Sequence, residues 1–343
     1  MKSSKIKSVL QRAFDKRLAR SILIWGAAGV GKSASIQQVA DELDVPLIDL
    51  RLSQLEPVDL RGIPQVDKNG YTVFGRSVLL PSAELHGDRG ILLVDEVTAA
   101  DLSMRAAAFQ LFHDRRIGDH CIPDGWLIVG ASNREEDRSI VNRLEAPLAN
   151  RFTHLTYDLD LAEWTSWAAQ AGINPLITGF VNFRASYLHK FNSDRAAEPA
   201  WPSPRSWHAA SDWIDLELDA DAELEVILGC VGVEAGTEFE GYKRVVNDLP
   251  LMGDIESNPQ GCALPNDPAA KYALASVLAY HIDKNNAEAL CTYLTRMEPE
   301  FTLIGVDQIR AKDASLLAND AATAWLVGHG NAILNVDPEE QAA

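Results

Sequence analysis

Gly26-Ala-Ala-Gly-Val-Gly-Lys-Ser33 is the stretch on which the fold turns. Upstream, Ser21-Ile-Leu-Ile-Trp25 is a short apolar run of the kind that forms a buried parallel strand. Downstream, residues 33–43 place Ile36, Val39, Ala40 and Leu43 on one helical face. A glycine-rich loop joining a strand to a helix N-terminus is the context in which this spacing cradles phosphate. Glycines at 26, 29 and 31 allow backbone N–H groups to wrap a triphosphate, so Gly26, Ala27, Ala28, Gly29, Val30 and Gly31 are the expected wrapping residues. The helix dipole adds a positive potential at the same point. Lys32 is expected to reach the β- and γ-phosphates, and the Ser33 hydroxyl to ligate Mg²⁺.

A second stretch, Ile91-Leu-Leu-Val-Asp-Glu96, sets four apolar residues before an acidic pair. The carboxyl ends of strands are where parallel α/β sheets present ligand groups. There Asp95 would hold Mg²⁺, directly or through water, and Glu96 would polarise the water attacking a γ-phosphorus. Asn133 follows a third apolar run, Trp126-Leu-Ile-Val129, and is placed to hydrogen-bond that water or the γ-phosphate. Asn150-Arg151-Phe152 precedes a last run, His154-Leu-Thr-Tyr157, putting a cation at the domain's flank within reach of a neighbouring subunit's nucleotide. Arg205, in Pro202-Ser-Pro-Arg-Ser206, could bend back over the γ-phosphate from a second unit. Arg134, Arg138 and Arg143 compete for these cationic roles, and the residues alone do not rank them.

Between these motifs, Pro46-Leu-Ile-Asp-Leu50 reads as a strand and residues 59–64 as irregular. Asn69-Gly70 lies between Gln65-Val66 and Tyr71-Thr-Val-Phe74, the signature of a hairpin with a two-residue turn. Asp101 is placed to cap a helix carrying Met104, Ala107, Ala108, Leu111 and Phe112. Strands alternating with helices predict a three-layer parallel α/β domain over residues 1–157, with a hairpin insert near 63–76. Strand signals then fade. Residues 163–171, 177–191, 203–218 and 222–231 read as helices of a lid (158–231), and an all-helical C-terminal extension is expected over 232–343. The proline- and glycine-rich stretch 248–268 interrupts that extension.

The 343 residues suffice for two or three compact units, and 47% apolar with 23% charged residues is ordinary for a globular chain. No apolar run approaches the roughly 20 residues of a membrane span, and no secretory signal is evident, so a cytoplasmic location is expected. Cys121, Cys230, Cys262 and Cys291 are scattered and suggest neither zinc nor redox chemistry. The net charge of −18 is uneven: residues 1–20 carry +6 and the rest −24. That basic segment reads as the solvated face of an amphipathic helix bearing Ile6, Val9, Leu10, Ala13 and Phe14. A strongly acidic body repels phosphate backbones and counts against a dedicated nucleic-acid partner.

In their order these motifs resemble AAA+ ATPases, and among them the MoxR group with its helix-2 insert. The resemblance runs from about residue 20 to 230. It implies that Gly26–Ser33 is the Walker A loop, Asp95-Glu96 the Walker B pair, Asn133 sensor 1, Arg151 a trans-acting arginine finger and Arg205 sensor 2. It implies ATP and Mg²⁺ at the interfaces of a homo-oligomeric ring, usually of six subunits. It also implies that the Asn69-Gly70 hairpin faces a central pore, and that the chain remodels a protein client with a von Willebrand factor A-domain partner. The helices beyond about 231 extend past the usual lid of that group. Three other readings are weaker. A nucleic-acid motor would want a basic pore, yet the hairpin supplies only Lys68 and Arg76 near Asp67. A small-molecule P-loop kinase leaves Asn133, Arg151 and the long helical portion without roles. A switch that seldom hydrolyses has no use for Glu96.

Overall fold

The computed structural model describes residues 1–134, 144, 146–191, 198–246 and 249–329. They divide into two compact units, Met1–Asp160 and Leu161–Ala343.

The first unit opens with α1 (Ser3–Asp15), β1 (Ile22–Trp25), α2 (Lys32–Glu42), β2 (Leu47–Arg51), α3 (Pro57–Arg61), β3 (Pro64–Val66) and β4 (Thr72–Phe74). It continues through α4 (Ala83–His86), β5 (Arg89–Asp95), α5 (Leu102–Asp114), β6 (Arg116–Ile117), β7 (His120–Cys121), β8 (Gly125–Ser132), α6 (Ala146–Ala149) and β9 (Thr153–Thr156). Five strands form one sheet in the order β2-β5-β8-β1-β9, every adjacent pair parallel. Successive side chains on a strand point to opposite faces, and here both faces are buried. Ile22, Ile24, Ile91, Leu93, Leu127 and Val129 pack against α1 and α2 through Ile6, Leu10, Ile36 and Val39. Leu23, Leu92, Val94, Trp126 and Ile128 pack the other way, against Met104, Ala108, Leu111 and Phe112 of α5. Each such fully buried aliphatic side chain contributes about 1.5–3 kcal/mol, so the two apolar layers hold the sheet between helices. This is the three-layer P-loop core expected from the sequence.

Asp101 caps α5 as expected, its Oδ1 accepting from the Met104 N–H at 2.7 Å, and that bond holds the carboxyl below the usual range. Residues 59–64 are not wholly irregular, because α3 occupies 57–61. Pro57 starts it, and Asp59 accepts from the Glu56 N–H at 2.8 Å in a capping box, which lets a five-residue helix close. The hairpin is present, but its loop has three residues rather than two. The Gly70 N–H donates to Asp67 O (3.0 Å) and the Asp67 N–H to Tyr71 O (2.9 Å), with Gly70 at φ +84°. The Asp67 carboxylate accepts from the Asn69 and Tyr71 N–H groups and favours this wider turn, whose left-handed last residue favours glycine.

The second unit is entirely helical among its described residues: α7 (Leu161–Ala171), α8 (Pro175–Phe183), α9 (Pro204–Ile214), α10 (Ala220–Val231), α11 (Val233–Val246), α12 (Met252–Ser257), α13 (Pro268–His281), α14 (Ala287–Leu294), α15 (Pro299–Asp313) and α16 (Asp320–Gly328). The helix expected over 177–191 stops at Phe183, where Arg184 leaves helical geometry (φ −128°). The one expected over 203–218 ends at Ile214. Helix α11, with Ala235, Phe239, Tyr242 and Val246 buried at helical spacing, falls within the extension expected to be helical, whereas α12 sits inside the stretch read as irregular. Phe180 is ringed by Tyr187, Trp207, Phe239 and Tyr242, while α13 packs against both α8 and α15. No helix among the described residues is long and apolar enough to cross a membrane.

Gly179 is where α8 meets α13: a Cβ there would lie 2.4 Å from the Tyr242 hydroxyl and 2.9 Å from Ala273 Cα. The Tyr242 hydroxyl is buried without a hydrogen-bond partner, the residue being 4% exposed. Gly179→Ala should therefore lose about 1–3 kcal/mol of stability by overpacking. Tyr242→Phe should be neutral or stabilising, because it removes a desolvated and unpaired hydroxyl. Chemical denaturation of the two variants reads both signs.

Candidate active site at the strand ends

The loop after β1 turns through Gly29 (φ +78°) and Gly31 (φ +100°), the latter capping α2. Side chains rarely adopt such angles, which is why glycine stands at both positions. Lys32 begins α2 and is only 8% exposed. Its ammonium donates to Gly26 O (2.8 Å), Ala27 O (2.9 Å) and Asn133 Oδ1 (2.9 Å). Parallel pairing brings Asn133 there: Trp25 stands opposite Ser132 at the ends of β1 and β8, so the residue after each strand shares one edge.

At the end of β5, Asp95 Oδ2 accepts from Ser33 Oγ at 2.6 Å, and its Oδ1 accepts from the Glu96 N–H at 2.8 Å. Glu96 is in the left-handed region (φ +57°), a conformation that costs a non-glycine residue about 1–2 kcal/mol. Two contacts steady it. The Ser53 hydroxyl, just past β2, donates to the Glu96 carboxylate. Two residues on, the Thr98 and Ser132 hydroxyls bond each other, and Ser132 Oγ accepts from the Thr98 N–H at 3.4 Å. The turn that carries Glu96 is thus tied to the strand that carries Asn133.

Lys32, Ser33, Asp95, Glu96 and Asn133 are therefore drawn together by direct hydrogen bonds at one sheet edge. Arg151 is not bonded into this set. Arg151 is exposed on the turn after α6, its N–H bonded to Leu148 O at 3.0 Å, with Phe152 beside it packed on Phe112 (4.6 Å between ring centres). Arg134 is committed elsewhere, donating to Tyr157 O (2.8 Å) and Asp158 Oδ1 (3.2 Å). The Met1 ammonium, and then Arg134, hold the Asp158 carboxyl below its usual range. Arg138 and Arg143 lie outside the described residues. Arg205 is exposed in the first turn of α9 in the second unit, behind the Ser203–Ser206 capping box.

Two hard oxygens converging at 2.6 Å, Ser33 Oγ and Asp95 Oδ2, suit Mg²⁺. Among the described residues no group of three or more His, Cys, Asp or Glu could hold a metal. A cation at this pair would need further oxygens from phosphate and water, as Mg²⁺ in phosphoryl-transfer sites does. The buried ammonium of Lys32 beside the glycine loop fits phosphate equally well. Reading the sequence missed Ser53 and Thr98. Ser53 follows the strand neighbouring β5, a fact that only the sheet order reveals, and a threonine three residues past Asp95 carries no spacing signal.

Residues 21–152 match the family model described as the AAA domain, dynein-related subfamily. The match falls within the first unit and agrees with its P-loop core of five parallel strands. No curated protein matches the chain. Among solved structures, a candidate ATPase from Cytophaga hutchinsonii is 14% identical over 86% of this chain and 78% of its own, with a TM-score of 0.36. A RuvB mutant from Thermotoga maritima is 15% identical over 74% and 73%, with a TM-score of 0.39. NtrX from Brucella abortus in complex with ADP is 14% identical over 96% and 69%, with a TM-score of 0.37.

Thr98→Val keeps the shape and removes the hydroxyl from a buried pair. It should cost about 1 kcal/mol of stability, measured by denaturant unfolding.

Proposed function

We propose that this chain is an AAA+ ATPase of MoxR type that hydrolyses ATP at the interfaces of a homo-oligomeric ring, a hexamer, to remodel a protein client. The observation that carries the reading is the hydrogen-bonded set at the ends of three neighbouring strands: Asn133 to Lys32, and Ser33 to Asp95 to the Glu96 backbone. Backbone N–H groups of Gly26 to Gly31 wrap the phosphates. Lys32 exchanges its carbonyl and amide partners for β- and γ-phosphate oxygens. Ser33 and Asp95 hold Mg²⁺, which when bound neutralises charge on those oxygens. Asn133, released from Lys32, orients the attacking water, and Glu96 takes that water's proton as its oxygen attacks the γ-phosphorus and the bond to the β–γ bridging oxygen breaks. Arg151 of a neighbouring subunit steadies the transition-state charge, and Arg205 senses the γ-phosphate from the lid.

In this reading residues 1–157 are the motor domain, 158–231 the lid and 232–343 the extension. The ring works in the cytoplasm with a von Willebrand factor A-domain partner. The character of the hairpin supports a protein client over nucleic acid. Nine of the seventeen large apolar side chains exposed among the described residues fall between Val58 and Leu85, and Val66 (75%) and Tyr71 (70%) on the hairpin are among the most open. Exposed apolar surface of this extent marks protein contact, whereas a nucleic-acid pore would present cations.

Glu96→Gln should retain ATP binding and lose turnover by at least about 100-fold, the order expected on removing a general base. Turnover of the variant at the normal rate would remove Glu96 from the role of base. Lys32→Ala mixed with Arg151→Ala should recover part of the rate, because each contributes the half of the shared site that the other lacks. A ring that forms without any recovery would overturn the shared site.

A further inference from the structure

Trp25 is the last residue of β1, directly before the glycine loop, and His154 lies on the edge strand β9 beside it. Their rings lie nearly coplanar, 17° apart with centres 6.0 Å apart, and the indole N–H donates to His154 Nδ1 at 2.8 Å. An indole nitrogen can only donate, so Nδ1 must be the bare nitrogen and the imidazole proton sits on Nε2. Nε2 lies 2.8 Å from Ala149 O, which therefore accepts from it. Ala149 closes α6 and precedes the turn bearing Asn150 and Arg151. The same carbonyl accepts from the Phe152 N–H at 3.2 Å, and the Phe152 ring meets His154 edge-on at 6.1 Å. Both imidazole nitrogens are thus spoken for, one by the strand that delivers the phosphate loop and one by the turn that carries the finger candidate. A phenylalanine there would make neither hydrogen bond. The side chain here is one that accepts on one side and donates on the other.

We infer that His154 is a positioning residue that fixes the Arg151 turn relative to the phosphate loop, so that the outward geometry of the finger is set by the strand that grips the nucleotide of its own subunit. The inference rests on the reading of Arg151 as the trans-acting finger. It adds to that reading a route: Gly26 follows Trp25, Trp25 bonds His154, and His154 bonds the carbonyl two residues before Arg151. The β1–β9 pairing runs alongside, with the Tyr157 N–H donating to Trp25 O at 2.6 Å, and makes the strands move together. The histidine adds the connection from that pair of strands to α6.

The test is steady-state ATP hydrolysis by the full chain in its assembled form, for His154→Phe, Trp25→Phe and His154→Gln, each alone and in an Arg151→Ala background. His154→Phe and Trp25→Phe should each lower kcat on the order of 10-fold, the scale of a misplaced catalytic group, with KM for ATP within roughly twofold. The Trp25→Phe/His154→Phe double variant should be no slower than either single one. His154→Gln, whose amide can both accept and donate, should recover much of the rate. In the Arg151→Ala background none of these changes should lower the residual rate further, since their effect passes through Arg151. A merely structural histidine would cost the same factor with or without Arg151, and that result overturns the inference. So does an unaltered kcat in His154→Phe. If Arg151→Ala itself turns over normally, the finger reading falls and takes this inference with it. If Arg151→Ala is impaired while His154→Phe and Trp25→Phe are not, this inference falls alone. Should His154→Phe fail to fold, Trp25→Phe carries the same comparison.

Discussion

Everything at the candidate site depends on parallel pairing among β1, β5 and β8. Parallel strands place all their carboxyl ends on one edge, so three segments far apart in sequence deliver Lys32, Asp95 and Asn133 to one point. The pairing is possible because each strand is apolar on both faces and is covered on both, by α1 and α2 on one side and α5 on the other. Were either helical layer lost, the exposed strands would lose their register and the hydrogen bonds at the edge with it.

The edge is held at higher energy than its surroundings. Glu96 sits in a backbone region that its side chain disfavours, and the buried Lys32 ammonium donates to three neutral oxygens, Gly26 O, Ala27 O and Asn133 Oδ1. Strain at functional positions persists where neighbours over-determine it. Here the neighbours are Ser53 on the Glu96 carboxylate and the Thr98–Ser132 hydroxyl pair beneath the turn. In the proposed reading Lys32 exchanges those neutral oxygens for phosphate oxygens, and Asn133 is freed when it does.

The second unit follows different physics. Its core is built from aromatic rings around Phe180 and from the close approach of α8 to α13 at Gly179, not from paired backbone. Helices joined by packing alone can shift in small steps, while a hydrogen-bonded sheet resists.

Local signals in the chain were enough for the glycine loop between β1 and α2, the acidic pair at the end of β5, the Asp101 cap and the alternation of buried strands with helices, because each is governed by residues within one or two turns of one another. The same locality misjudged the hairpin loop, where the Asp67 carboxylate chose a wider turn, and α8, which stops at Phe183. What reading the chain could not supply was adjacency. That β5 lies between β2 and β8 puts Ser53 on Glu96 and Thr98 on Ser132, and that β9 borders β1 puts His154 on Trp25. Strand order is settled by which apolar faces bury together across the whole unit, and no window of sequence contains that sum.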